Sequence, residues 1–282
     1  MFLPDQYELL DFGAGRKLER FGPFVLDRPS PASETARPRL PESAWSQASG
    51  RYQRVLGDQG VWSGELPGKW IIRHGATVFE LKASPFGHLG IFPEQAENWD
   101  WLQQQVERRP RSKVLNLFAY TGGSTLAAVA SGAEVVHVDS ARGSVAAARR
   151  NAALSGLEDH PIRWITEDAL KFARRELKRG NQYDAVILDP PSYGHGPSGE
   201  PWKLAEQLPE LLELCAELTK GRRQFVLLTC HTPEFDAAML ESLMRETLGA
   251  ERHVQISAGA LKIEACAKHH LPCGTVARWA AR

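Results

Sequence analysis

From Lys113 onward, short runs of uninterrupted apolar residues alternate with longer stretches whose apolar positions recur at helical spacing. The runs at 114–118 and up to Asp139 lack polar alternation, which predicts strands buried on both faces, as in a parallel sheet, and 162–166, 183–188 and 224–229 read as further strands. The stretches between them predict helices at 126–130, 144–155, 169–179 and 203–218, with a further one over 96–106 ahead of the first strand. Thr232-Pro233-Glu234 reads as the N-cap and first turn of a helix reaching Leu248, with proline where its missing N–H costs nothing. Segments 252–257 and 275–279 predict a closing antiparallel pair of strands joined by a loop. Residues 190–201 are rich in Gly and Pro and exceed the about two to six residues usual for such connections, which marks a functional loop at a strand end.

The first third has another texture, rich in Gly, Pro, Trp and Arg, and predicts small β structure. Candidate strands are 7–12, ending at Gly13-Ala14-Gly15, and 51–56, ending at Gly57-Asp58-Gln59-Gly60. Segments 70–74 and 77–82 flank Gly75-Ala76 with hairpin spacing. The proline-rich stretch 29–42 reads as a long surface loop. The expected organisation is therefore a β-rich domain over 1–94 and an α/β domain over 95–282, with no internal repeat.

A length of 282 residues with 43% hydrophobic composition permits a substantial core. Lys plus Arg equals Asp plus Glu at 34 each, so any contact with nucleic acid must come from a local patch. The pairs Arg108-Arg109, Arg149-Arg150, Arg174-Arg175 and Arg222-Arg223 read mostly as solvated faces. No apolar run reaches membrane-span length and the N-terminal segment lacks an export pattern, so a cytoplasmic protein with no membrane partner is expected. The four cysteines are expected to be reduced thiols. Cys266, His269, His270 and Cys273 crowd one loop rather than two knuckles, and no metal is assigned to them.

The chemistry gathers around 114–139. Glycines after the first strand let the backbone turn sharply and approach a ligand, and Asp139 at the tip of the next can take two ribose hydroxyls. A nicotinamide site would show G-x-G-x-x-G, whereas Ala119-Tyr120 stands here before Gly122-Gly123, which suits a cofactor without pyrophosphate.

Asn116-Leu117-Phe118-Ala119-Tyr120-Thr121-Gly122-Gly123, closed by Asp139, resembles motif I and its acid in class I S-adenosylmethionine methyltransferases. It looks most like the branch of ribosomal-RNA cytosine-5 methyltransferases, here without their PUA domain. The resemblance implies a Rossmann-like sheet with a final antiparallel strand pair. It implies that Asn116, Phe118, Tyr120, Thr121 and Gly122 hold S-adenosylmethionine, with Asp139 and Ser140 at its ribose and Asp168 and Ala169 at its adenine. Asp168 serves equally as a helix N-cap.

Asp189-Pro190-Pro191-Ser192-Tyr193 resembles the family's motif IV, in which Asp189 borders both cofactor and acceptor and Pro190, Pro191 and Tyr193 line the acceptor base. Cys230 occupies the place of the cytosine-5 nucleophile, with His231 in place of the family's Ser, and a buried core thiol is the other reading. The expected catalytic residues are Asp189 and Cys230, and the expected partner is an RNA substrate, ribosomal RNA above all. The alternatives are methylation of an exocyclic amine or a small molecule with a structural Cys230, or a nucleic-acid-binding module without activity.

Overall fold

The computed structural model describes residues 1–57, 59–196, 199–250, 253–266 and 268–282. The chain divides into two units, Met1–Ala96 with Lys262–Cys273, and Glu97–Leu261 with Gly274–Arg282. The sequence pattern assigned everything after residue 94 to the second domain, whereas segment 262–273 groups with the first.

In the first unit, β1 (Tyr7–Gly13), β2 (Arg16–Phe21) and β3 (Phe24–Pro29) form an antiparallel meander. A short helix α1 (Glu42–Ser46) precedes β4 (Gly50–Leu56), which pairs parallel with β3 and antiparallel with β5 (Gln59–Gly64) to complete a five-stranded sheet. The hairpin of β6 (Trp70–His74) and β7 (Thr77–Leu81) stands as the spacing predicts. Strands β2, β3 and β5 were not anticipated. In β2 and β3 charges hide the period: Glu19 pairs with Arg28 at 2.5 Å, and Asp27 pairs with Arg16 at 2.5 Å and Arg51 at 2.6 Å, so buried carboxylates are neutralised across the sheet. The proline-rich stretch is pinned rather than loose, because buried Asp11 Oδ2 accepts the N–H groups of Arg39 (2.9 Å) and Leu40 (2.8 Å). In 262–273, the Cys266 thiol lies 3.4 Å from the Leu9 carbonyl and the His269 ring stacks on Phe12 at 4.1 Å. Among the described residues no His, Cys, Asp and Glu cluster could hold a metal ion.

The second unit opens with α2 (Ala96–Arg108) and continues β8 (Lys113–Leu117), α3 (Gly123–Ala130), β9 (Glu134–Asp139), α4 (Arg142–Leu154), β10 (Ile162–Thr166), α5 (Ala169–Lys178) and β11 (Ala185–Leu188). The loop predicted over 190–201 contains a small ribbon, β12 (Tyr193–His195) against β13 (Pro201–Lys203). Then come α6 (Leu204–Leu218), β14 (Phe225–Cys230), α7 (Ala237–Leu248), β15 (Val254–Glu264) and β16 (His270–Ala281). The seven strands run in the order β10-β9-β8-β11-β14-β16-β15. The first five are mutually parallel, and β16 is antiparallel to β14.

Apolar side chains of β8, β9, β11 and β14 pack against α5, α6 and α7 in the main core. Burial on both faces is why these strands carry no polar alternation. Two boundaries differ from expectation. The N-cap of α7 is Asp236, whose side chain accepts from Met239 N–H, so Thr232-Pro233-Glu234 is a turn before the helix. The closing strands are longer than predicted because β15 alternates exposed and partly buried residues, which dilutes its hydrophobic signal. The predicted start at Arg252 lies outside the described residues.

A polar chain lies on the other face of this sheet, toward α3. Asn116 Nδ2 donates to Thr125 Oγ1 (2.8 Å), which lies 2.9 Å from His137 Nδ1. Burial pushes His137 down from 6.5 to about 3, so the imidazole is neutral in the folded state. Its contribution to stability is complete above pH 6.5 and is lost as pH falls below that value, where the unfolded chain binds a proton that the folded one refuses. The loss reaches at most about 1.4 kcal/mol per pH unit. Denaturant unfolding at pH 7 and pH 5 should therefore show a larger drop in the wild type than in His137→Gln. Equal drops would contradict the buried neutral histidine.

Candidate functional site

The chain steps outward from β8 to β9 and β10, then returns to β11 on the other side of β8. That reversal opens a crevice beyond the carboxyl ends of β8 and β11, where α/β sheets bind ligands. The turn from β8 into α3 is built from left-handed backbone, at Phe118 (φ 57°), Tyr120 (φ 49°) and Gly122 (φ 93°). For the two bulky residues this costs on the order of 1–3 kcal/mol each and persists only where surroundings over-determine it. Asp139 supplies one such constraint, because its Oδ2 accepts Tyr120 N–H at 2.8 Å. Trp99 supplies another: a Cβ on Gly123 would lie 2.4 Å from its ring, so only glycine lets α3 start there.

Asp139 also accepts Ala141 N–H through Oδ1 at 2.9 Å. Burial raises its pKa, although both N–H groups pull the other way, so it sits in a half-dry position where a further hydrogen bond is strong. A carboxylate has about four acceptor positions, and two backbone bonds leave room for a diol.

Phe118, Asp139, Ser140, Asp168 and Ala169 line one cleft, together with Val138, Glu167, Pro191, Gly194, His195, Gly196 and Trp202. Asp168 is the N-cap of α5 and accepts Lys171 N–H at 2.8 Å. Two expected cofactor residues stand behind the cleft instead. Asn116 is buried and spends its amide on Thr125, and Thr121 is buried with its carbonyl accepting from Asn151 Nδ2 at 3.0 Å. Tyr120 and Gly122 belong to the turn itself.

Trp202 was not among the expected site residues. Its indole N–H donates to the Pro191 carbonyl at 2.7 Å and its ring meets Phe118 at 4.8 Å, so it ties Pro191 to the Phe118 wall of the cleft. The available signal was a lone tryptophan in a Gly/Pro-rich stretch, where no periodic face requires one.

At the tip of β11, Asp189 Oδ1 accepts the hydroxyl of Thr229 and lies 3.1 Å from His231 Nε2. The side chains of Asp189 and His231 are 28% and 32% exposed. His231 is the second residue that sequence reasoning missed, noted only as a departure from the family's Ser. Beside them, Ser192 Oγ is 2.5 Å from Thr232 Oγ1, and Tyr193 is exposed with its hydroxyl 3.1 Å from His195 Nε2.

Cys230, the last residue of β14, is fully buried in the core cluster. Burial pushes its thiol up to about 12, and the negative charge of Asp189 adds to the effect. A thiolate is the nucleophilic form, so this environment disfavours attack by sulfur. The arrangement can hold a flat base with a diol in the cleft and present a second group to Asp189, with the thiol kept protonated between core residues.

The family model described as S-adenosylmethionine-dependent methyltransferase matches residues 41–238. Ribosomal RNA large subunit methyltransferase I of Aeromonas salmonicida is 34% identical over 159 residues, covering 55% of this chain and 36% of the relative. The protein of that name from Cronobacter sakazakii is 29% identical over 211 residues, covering 67% of this chain and 52% of the relative. The chain thus spans about a third to a half of the length of these curated relatives. The crystal structure of a SAM-dependent methyltransferase from Agrobacterium tumefaciens is similar over 98% of this chain and 91% of its own, with 35% identity and a TM-score of 0.91. A Streptococcus mutans structure at 16% identity and TM-score 0.75, covering 98% of this chain and 75% of its own, shares the fold. Among the described residues no helix is long and apolar enough to cross a membrane.

Proposed function

The chain belongs to the S-adenosylmethionine-dependent methyltransferase family, and from that premise we propose that it methylates an exocyclic amine of an RNA base presented at Asp189, Pro190, Pro191 and Tyr193. One contrast at the strand ends carries the choice of acceptor: Cys230 is fully buried with a thiol near 12, while neighbouring Asp189 is partly exposed and paired with His231. RNA as the substrate class is supported by curated relatives named as ribosomal RNA large subunit methyltransferase I.

S-adenosylmethionine is the cofactor, and the donor set of the cleft suits it. Asp139 would accept the ribose hydroxyls, Phe118, Ala169 and Trp202 would flank the adenine, and Asp168 would accept its amine while still capping α5. The left-handed turn at 118–122 would border the methionine portion. When bound, the cofactor supplies a sulfonium methyl group that is open to attack by a lone pair. Asp189 would accept an N–H of the amine, turning its lone pair outward, and take up the proton released on transfer. His231, on the same carboxylate oxygen, would share that charge. The two prolines stiffen the rim so that the acceptor is held rather than searched for, and orientation of this kind is worth about 7–11 kcal/mol in favourable cases.

Cys230→Ala separates this route from cytosine-5 methylation, which the position of the thiol at the tip of β14 favours. Burial and the charge of Asp189 hold the thiol protonated at neutral pH, the form in which sulfur is a poor nucleophile. Tritiated-methyl transfer into RNA should stay within about threefold of wild type in Cys230→Ala, with a stability loss of about 1–3 kcal/mol from the small cavity. Turnover abolished with cofactor affinity unchanged would instead make Cys230 the nucleophile and the acceptor carbon 5 of cytosine.

A further inference from the structure

We propose that the second unit carries a docking surface for the phosphodiester backbone of RNA at the amino ends of its strands, opposite the catalytic rim. The inference rests on the RNA reading above. The chain has no net charge to attract a polyanion, so attraction must be local. Two arginine pairs far apart in sequence meet here: Arg108-Arg109 stand at the end of α2, and Arg222-Arg223 precede β14.

Two clefts share Ala281 and Arg282 as lining residues. The smaller, of about 300 Å³, takes Arg108 and Arg278 together with Gln104, Gln255 and Ser257. The larger, of about 620 Å³, takes Arg109, Lys220, Arg222 and Arg223. Asp184, the one acid among these lining residues, is already spent on Arg222 at 2.8 Å, and Lys220 pairs with Glu217 at 3.1 Å. The guanidinium groups of Arg108, Arg109, Arg278 and Arg282 make no ion pair among the described residues.

Arg278 is the most telling of them. It lies 5.2 Å from the Trp101 ring and donates to Asn98 Oδ1 at 2.6 Å, yet its Nε is buried without a hydrogen-bond partner. A half-buried cation with no ion-pair partner among the described residues is costly until an anion arrives at its exposed side. The linings pair cations with amides and a hydroxyl, which matches phosphate oxygens and sugar hydroxyls. Cations spread over two adjoining clefts match a chain of phosphates better than a single anion.

The test uses the full chain and a large-subunit ribosomal RNA fragment, titrated at several salt concentrations. Arg108 and Arg109 are exposed and lie outside the proposed catalytic machinery, so Arg108→Ala/Arg109→Ala should fold normally and bind S-adenosylmethionine with wild-type affinity. RNA affinity should fall at least about tenfold, and the slope of log affinity against log salt should shrink by about 2, one for each phosphate contact removed. The KM for RNA should rise with kcat unchanged. Unaltered affinity and slope in the variant, with RNA bound by the wild type, would overturn the surface and leave the RNA reading standing. Failure of the wild type to bind RNA would overturn both. Tighter binding of poly-glutamate than of RNA, lost in the same variant, would reassign the surface to an acidic protein and overturn the proposal.

Discussion

Asp189→Ala is expected to lower methyl transfer at least a hundredfold while S-adenosylmethionine affinity stays within a few-fold of wild type. The carboxylate stands at the tip of β11, two residues before Pro191 of the proposed cofactor cleft and four before exposed Tyr193. Removing it deletes the acceptor that orients the amine and collects its proton, and positioned proton acceptors contribute about 10^2–10^4 in rate. The substitution also strips Thr229 and His231 of their shared partner, leaving the Thr229 hydroxyl its longer contact with the Leu188 carbonyl at 3.4 Å, and a lost hydrogen bond to a charged group costs about 1.5–3 kcal/mol. Asp189→Asn separates these effects, because it keeps an oxygen for Thr229 but cannot take a proton. Steady-state kinetics should show both variants impaired in kcat and the asparagine variant more stable to denaturant. Wild-type turnover in either would move the acceptor away from this rim.

Asp139→Ala should weaken S-adenosylmethionine binding at least tenfold in calorimetry. Hydrogen bonds to a charged group are worth about 1.5–3 kcal/mol each, before water compensates at the emptied position. Here the loss is compounded, since Asp139 also fastens Tyr120 N–H and so helps to hold the strained turn at 118–122. Burial raises the pKa of this carboxylate, so cofactor affinity should begin to fall at a higher pH than for an ordinary aspartate as the solution is acidified. Unchanged affinity in the variant would remove Asp139 from the ribose position.

The elements that frame the site were legible because physics wrote them redundantly. Strands β8, β9, β11 and β14 are buried on both faces, so their apolar runs have one reading, and Asp139 and Asp189 sit where such runs stop. Other features depend on partners that are distant in the chain. The charges of β2 and β3 make sense only once Glu19 meets Arg28 and Asp27 meets Arg16 and Arg51. Asn116 reads as a cofactor residue in a motif but spends its amide on Thr125 beneath the turn. Cys230 was ambiguous for a deeper reason: a nucleophile and a core thiol can share the end of a strand, and only burial, with its effect on ionisation, distinguishes them. Trp202 sits in the three-residue strand β13 and His231 just past β14, too short or irregular a setting for period to say which neighbours they meet.

Nucleoside mapping of methylated RNA tests the central claim most directly. The purified chain is incubated with large-subunit ribosomal RNA and S-adenosylmethionine carrying a deuterated methyl group, and the RNA is digested to nucleosides for mass spectrometry. The account predicts label on the exocyclic nitrogen of a base with wild type and Cys230→Ala, and none with Asp189→Ala. Label on carbon 5 of cytosine that disappears in Cys230→Ala, or no label in RNA at all, would contradict it.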